Sequence, residues 1–389
     1  MSVRKQLRTA LCGLALTGIV VTAAQGPAAA TPVVEVAAKA SSVSAATDAA
    51  ARSLARSLAD SAWRAELRRA VAGGKETGLK ALADKSRTGA AASLAVDVAA
   101  ADRSVLAAKG LDRDTGGLLT VTLTGATDSR RAPLVAVDAS DDEATTITAY
   151  DASGRSHALD ASRTPDMPVY VIGIDGEGAV EAGLKVLERE LAAAGVTTTS
   201  TPATAPGTGT SASAASTSAS ASASADTGYW TSRITSVRLN DDKEPWIKGD
   251  AEIFSIVSGF GLDGKVRVDT VTHPYLNDEG TTYYPNQILV NWSQYKYNLA
   301  DVVMMEDDGD TNYSALAKAI ATALLTIADL GAYIPLVDPV IDALPSSFWT
   351  DDPDFVDAWY TLARETTGTR DGAAGNGRFT LDRYWVSAL

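Results

Sequence analysis

The residues in this chain whose type and spacing suit chemistry are carboxylates. Asp241, Asp242 and Glu244 share one predicted loop, Asp250 and Glu252 open the following strand, and Glu306, Asp307, Asp308 and Asp310 leave a later one. Calcium is a hard cation that takes about 6–8 oxygen ligands, and loops gathered at one end of a sheet can supply them. Asp241, Asp242, Asp250, Glu252, Asp307, Asp308 and Asp310, drawn from three segments, are therefore candidate metal ligands, with calcium the candidate cofactor. Asp308, Asp310 and Asn312 alternate as an EF-hand loop begins, but Tyr313 stands where that loop needs glycine and Ala319 where it needs glutamate. An EF-hand is rejected; several loops sharing ions remains. Ordinary turn chemistry accounts for the same residue types at Asn240-Asp241 and Asp308-Gly309.

Other chemistries find less. The chain has only His157 and His273, with no HExxH pattern, and it has no GxSxG elbow. Asp-Thr-Gly occurs at Asp114 and Asp226, but Arg113 and Ala225 precede the two copies instead of the apolar strand an aspartic protease requires. His273, before Pro274, reads as a structural strand-end histidine sooner than as part of a Ser-His-Asp site. A pair of carboxylates hydrolysing a polysaccharide or cell-wall polymer is the alternative function, although the spacing selects no pair. Tyr283, Tyr284, Trp292, Tyr295 and Tyr297 suggest a sugar-binding face; a strand sends neighbours to opposite faces, so a split between core and surface is expected. No catalytic residue is assigned.

The elements that must position these groups follow from composition. At 389 residues, 46% apolar and 21% charged, the chain is neither disordered nor a membrane bundle. Residues 1–30 read as a signal peptide: Arg4, Lys5 and Arg8 precede the apolar stretch Ala10 to Ala24, and Ala28-Ala29-Ala30 offers a cleavage site before Thr31. Cys12, the single cysteine, lies inside that stretch, so the exported chain would hold no disulfide. Loss of the segment takes the net charge from −14 to −17, which argues against nucleic-acid partners. The apolar run Ala315 to Ala328 carries Lys318 and is too short to span a bilayer, so no integral span is expected after signal removal. The expected partner is an extracellular ligand.

Two domains and a tether are expected. Thr197 to Ala225 contains only Thr, Ser, Ala, Gly and Pro, and residues 197–228 read as a flexible linker between 31–196 and 229–389. The N-terminal part reads as α+β: helices at Ala45 to Val71, Thr88 to Lys109 and Ala179 to Ala194, with strands near 118–124, 133–138, 145–150 and 169–174 forming a small antiparallel sheet. The C-terminal part reads as an acidic β-sandwich with appended helices. Its strands fall near 233–239, 251–257, 265–272, 287–291 and 300–305, and its helices near 314–330 and 337–344. From Asp226 onward the chain carries 25 of the 48 acidic residues and six of the seven tryptophans, which makes this part the place to look for function.

With those residues in view, the chain resembles a secreted bacterial family, the domain-of-unknown-function 3103 family. The resemblance is carried by Lys248-Gly249-Asp250-Ala251-Glu252-Ile253, by Glu306-Asp307-Asp308-Gly309-Asp310, and by Asp351 to Asp357 with Tyr360-Thr361-Leu362. Ala149 to Gly154 and Pro165 to Val169 add to it. The resemblance implies export and a bacterial source and carries no established activity. The expectation is thus an exported, non-catalytic binding protein whose acidic half takes calcium.

Overall fold

In the computed structural model, residues 42–127, 130–137, 145–201, 228–240, 251–307, 309, 311–327, 331–344 and 355–387 are described. Asp60 accepts hydrogen bonds from the backbone N–H groups of Ala62 (2.9 Å) and Trp63 (3.0 Å). That cap turns the single helical run expected from Ala45 to Val71 into two helices, α1 (Ser42–Ser57) and α2 (Ser61–Ala70). Leu54, Leu58, Trp63 and Leu67, the predicted apolar stripe, are all buried. A short strand β1 (Thr77–Gly78) and helix α3 (Leu79–Lys85) follow. Thr88 then caps α4 (Gly89–Ala108) by accepting from Ala91 N.

The first sheet has six strands. β2 (Leu119–Gly125), β3 (Leu134–Val137), β4 (Thr146–Tyr150), β5 (Ser156–Asp160) and β6 (Pro168–Ile174) join β1 in the order β1-β2-β6-β3-β4-β5. Every pairing is antiparallel except β3 with β6. Alternation divides its residues between two cores: Tyr170 and Ile172 face the main core, while Val169 and Val171 join Leu134 and Ala136 in a smaller cluster. Helix α5 (Gly176–Ala193) follows, capped by Asp175.

Residues 197–201, assigned to the linker from sequence, instead form strand β7 (Thr197–Thr201); the rest of that run, 202–227, lies outside the described residues. β7 pairs in parallel with β10 (Val266–Thr272), at the edge of a five-stranded sheet ordered β13-β12-β9-β10-β7. Its other members are β9 (Ile253–Gly261), β12 (Tyr295–Glu306) and β13 (Phe355–Ala363). A four-stranded sheet, β11-β8-β15-β14, is built from β8 (Gly228–Leu239), β11 (Gln287–Asn291), β14 (Gly368–Asp371) and β15 (Gly377–Ser387). One core contains Ile234, Val237, Phe379 and Leu381 of the four-stranded sheet with Ile253, Val257, Val302 and Met304 of the five-stranded sheet, so the expected sandwich is present.

The five-stranded sheet is apolar on its other face too. Phe254, Ile256, Phe260, Val303 and Met305 belong to the main core, which also holds α1, α4, α5, α6 (Tyr313–Leu324) and Val337 and Val340 of α7 (Val337–Ala343). This core is continuous from Ala46 to Ala358, and residues Ser41–Leu389 form one compact unit. The two halves are therefore fused through a shared core, because the sandwich partner covers only one of the sheet's two apolar faces. Helices α5 and α6 meet where Gly183 lies against Tyr313: a Cβ there would come within 2.3 Å of the ring.

Two outcomes are expected from this shared core. Segment 226–389 alone should lack the cooperative thermal transition that the intact chain shows, since it would expose the Phe254–Phe260 face. Gly183→Ala should lower stability by about 1–3 kcal/mol through overpacking against Tyr313, measured by urea unfolding of the intact chain.

Candidate functional site

The strand pairings bring together, at one end of the five-stranded sheet, three strand ends that adjoin acidic segments in the sequence. Ile253 lies opposite Glu306, and Met305 opposite Phe355. Beyond that ladder the Asp307 N–H donates to the Glu252 carbonyl at 3.2 Å. The start of β9, fed by the Asp241–Asp250 segment, therefore adjoins the end of β12, which leads into Asp308 and Asp310. The start of β13 adjoins it as well, and that strand is fed by Asp351-Asp352-Pro353-Asp354, a third acidic stretch that sequence reasoning left out of its ligand set. Of the seven predicted ligands, Glu252 and Asp307 are described. Asp241, Asp242, Asp250, Asp308 and Asp310 lie outside the described residues.

Glu252 is half-buried, with its carboxylate against the first residue of α5: a Cβ on Gly176 would fall 2.1 Å from Glu252 Oε1. Asp175 caps the same helix start by accepting from Gly178 N at 2.9 Å, and Glu177 lies in its first turn. Carboxylates suit this position because the unpaired N–H groups of a helix start carry partial positive charge. Asp307 is different. It is 3% exposed, with Oδ1 at 2.7 Å from Lys109 Nζ and Oδ2 accepting from the Tyr313 hydroxyl at 2.9 Å. Lys109 also donates to the Gly309 carbonyl at 2.9 Å. Neighbouring bonds fix the turn: Asn312 donates to the Ala108 carbonyl and accepts from Ala315 N, while Tyr313 N donates to the Lys109 carbonyl. Both Asp307 oxygens are thus satisfied within the protein, and a buried lysine that sequence reasoning did not single out is the reason. Among the described residues, no three His, Cys, Asp or Glu side chains converge as a metal would require.

On the sandwich side of the same sheet end, His273 N donates to the Ile253 carbonyl at 2.8 Å. The His273 ring is fully buried, with Nε2 at 2.8 Å from Ser255 Oγ and Nδ1 at 2.8 Å from Gln287 Oε1. Gln287 Nε2 donates to the Thr272 carbonyl, which turns Oε1 toward the ring, so Nδ1 carries the proton and Nε2 accepts from Ser255. The arrangement has the form of a nucleophile–base–orienter triad, yet Ser255 and His273 have no solvent exposure. This is the structural histidine expected at a strand end. Burial pushes its pKa down to about 4, and also raises the pKa of Tyr275, whose hydroxyl donates to Gln287 Oε1.

Two further buried carboxylates hold turns and layers. Asp357 accepts from Ala374, Asn376 and Gly377 N, organising the β14–β15 hairpin. Asp301 accepts from the Tyr333 hydroxyl (2.5 Å), Leu336 N (2.6 Å) and Thr361 N (2.6 Å), and burial raises its pKa. It thereby holds Thr361, a β-branched residue, at a φ of 52°. Trp292 and Tyr295 are core residues while Tyr284 is 72% exposed, which is the split expected of those aromatics.

Fold and site together define a mixed α+β protein in which a β-sandwich shares its inner sheet with a helical layer. A family model described as "Protein of unknown function (DUF3103)" matches residues 51–388, and the chain belongs to that family. No curated protein and no solved structure matches it.

The buried histidine has a pH consequence. The unfolded chain binds a proton at a pKa near 6.5 and the folded one only near 4. Stability is therefore full above the higher value and falls as pH drops between the two, by on the order of 3 kcal/mol. Urea unfolding from pH 7 to pH 4 should show that loss, and His273→Gln should flatten it. Separately, Asp301→Ala should destabilise by about 2–4 kcal/mol by stripping the buried Leu336 N–H and two part-buried donors of their acceptor, read by the same method.

Proposed function

We propose that this is an exported, non-catalytic binding protein whose ligand end is the acidic end of the five-stranded sheet, and that calcium is the cation this end takes. The observation that supports it most is the pairing of Ile253 with Glu306 and of Met305 with Phe355. Through it, three acidic segments far apart in sequence enter or leave the fold side by side. Asp307 belongs to the buried clamp with Lys109, so Asp241, Asp242, Asp250, Glu252, Asp308 and Asp310 are the oxygen donors assigned to the cation. Export is supported by the basic and apolar leading segment with its alanine cleavage site. No helix among the described residues is long and apolar enough to cross a membrane.

Hydrolysis of a polysaccharide needs a protonated acid and a free carboxylate flanking a cleft. Of the buried carboxylates, Asp269, Asp301, Asp307 and Asp357 are instead bonded to Arg267, Tyr333, Lys109 and backbone N–H groups inside the fold. Nothing observed favours the hydrolase over the binding protein.

A thermal melt of the intact chain, in EDTA and then in millimolar calcium or magnesium, tests the reading. Binding to the folded state at a hundred times the dissociation constant adds about 2.7 kcal/mol, visible as a rise in Tm. The rise should appear with calcium, be smaller with magnesium, and shrink in Asp250→Asn and Glu252→Gln. An unchanged Tm, or equal shifts with both ions and in both variants, would sink the proposal.

A further inference from the structure

The geometry points to a covalent bond between the two halves of the chain: an intramolecular amide joining Lys109 Nζ to Asp307 Cγ. It does not depend on the calcium reading. Nζ and Oδ1 are 2.7 Å apart, and neither side chain has any solvent exposure. The Gly309 carbonyl holds one side of the nitrogen at 2.9 Å, and the Tyr313 hydroxyl donates to the other carboxylate oxygen at 2.9 Å. The Tyr313 ring lies 5.8 Å from Nζ and is itself packed against Phe254, with ring centroids 6.3 Å apart. Amine, carboxyl group and a hydrogen-bond donor for developing oxyanion charge are thus held together out of contact with solvent, the proximity on which amide formation draws.

The step balances. In the enclosed pair a proton passes from the Nζ ammonium to Oδ1, leaving an amine beside a carboxylic acid. The Nζ lone pair adds to Cγ, forming the N–C bond, and the C=O π pair moves onto Oδ2, where the Tyr313 hydroxyl donates. Oδ1 takes a second proton from nitrogen and leaves as water while the C=O bond re-forms. The net change is ammonium plus carboxylate to secondary amide plus one water, with no oxidant, reductant or cofactor. Burial also keeps water from the product and so blocks hydrolysis. The bond would close a loop between residues 198 positions apart, spanning the Ser/Thr/Ala-rich run, in a chain whose single cysteine is Cys12. It would cross-link α4 to the end of β12 where no disulfide is available.

The test is mass spectrometry of the intact, denatured chain, followed by trypsin digestion. The expected mass is one water below that of the sequence. The expected digest lacks cleavage after Lys109 and contains a branched peptide joining Ser104–Arg113 to Tyr297–Lys318. Succinimide formation at Asp308-Gly309 also releases one water, so the branch itself must be found. Lys109→Arg and Asp307→Ala should each abolish the branched peptide, whereas a succinimide would survive Lys109→Arg. Because the decisive reading is made on the unmodified sequence, a variant that fails to fold does not blunt it. Cleavage at Lys109 with two linear peptides, at the full sequence mass or with the missing water placed at Asp308, would leave an ion pair only and overturn the inference.

Discussion

Lys109 and Asp307 sit together at the junction of helix α4 and strand β12, with both side chains out of contact with solvent. Removing two such charges from water costs several kcal/mol per ion, and their attraction offsets this only when the remaining valences are also satisfied. The structure satisfies them. Gly309 supplies a carbonyl to the lysine, Tyr313 a hydroxyl to the aspartate, and Asn312 ties the same turn to the last carbonyl of α4. Each of these groups holds its position only if α4, the 307–313 turn and α6 are docked together. The contact therefore acts as a register pin that docks α4 on the five-stranded sheet, and this docked ion pair is the one the proposed amide would make permanent.

That pin matters because the five-stranded sheet is apolar on both faces. Alternation along β12 sends Val302 and Met304 into the sandwich core and Val303 and Met305 into the helical core, and β9 divides in the same way. A sheet of this kind is stable only with two covers. The four-stranded sheet provides one. The other is made from the N-terminal half, through α5 and the elements packed around it, with α6 wedged between. The Gly183–Tyr313 approach lets the two helices close, and Asp301 holds the α7 connection and the strained Thr361 to the same sheet.

The fold class was legible because period and punctuation agreed over long stretches. The Leu54–Leu67 stripe, the helical run from Thr88 to Lys109 and the strand pattern of the first sheet all carry their signal locally. What was not legible is contact at a distance. A sequence shows that 197–225 holds no large apolar residue, which reads as a tether; it does not show that Thr197–Thr201 finds a free sheet edge on β10. It shows Lys109 as one more charged residue at a helix end, where a solvated C-terminal cation is the ordinary expectation. Only the turn at 307–313 makes it a buried one. The last strands, β13 to β15, were missed because Asp357, Asp371 and a glycine-rich turn interrupt their apolar pattern, and Asp357 is the very residue that folds the turn.

The same distinction sorts the acidic residues that first drew attention. A carboxylate in the fold must find donors, and Asp301, Asp307 and Asp357 have found theirs in N–H groups, hydroxyls and a lysine. Those that feed the strand ends of β9, β12 and β13 lie in sequence segments where acids outnumber bases, with Lys243 and Lys248 among them, and the start of α5 and Lys109 are positive features at the adjoining described strand ends. The positive end of α5 is already met by Asp175, Glu177 and Glu252, and Lys109 is committed to Asp307. If those segments converge as proposed, their excess of acids is the electrostatic condition under which an external cation stabilises the folded state. The clamp and the acidic end are thus two outcomes of one problem, how to place carboxylates where a doubly covered sheet comes to its end.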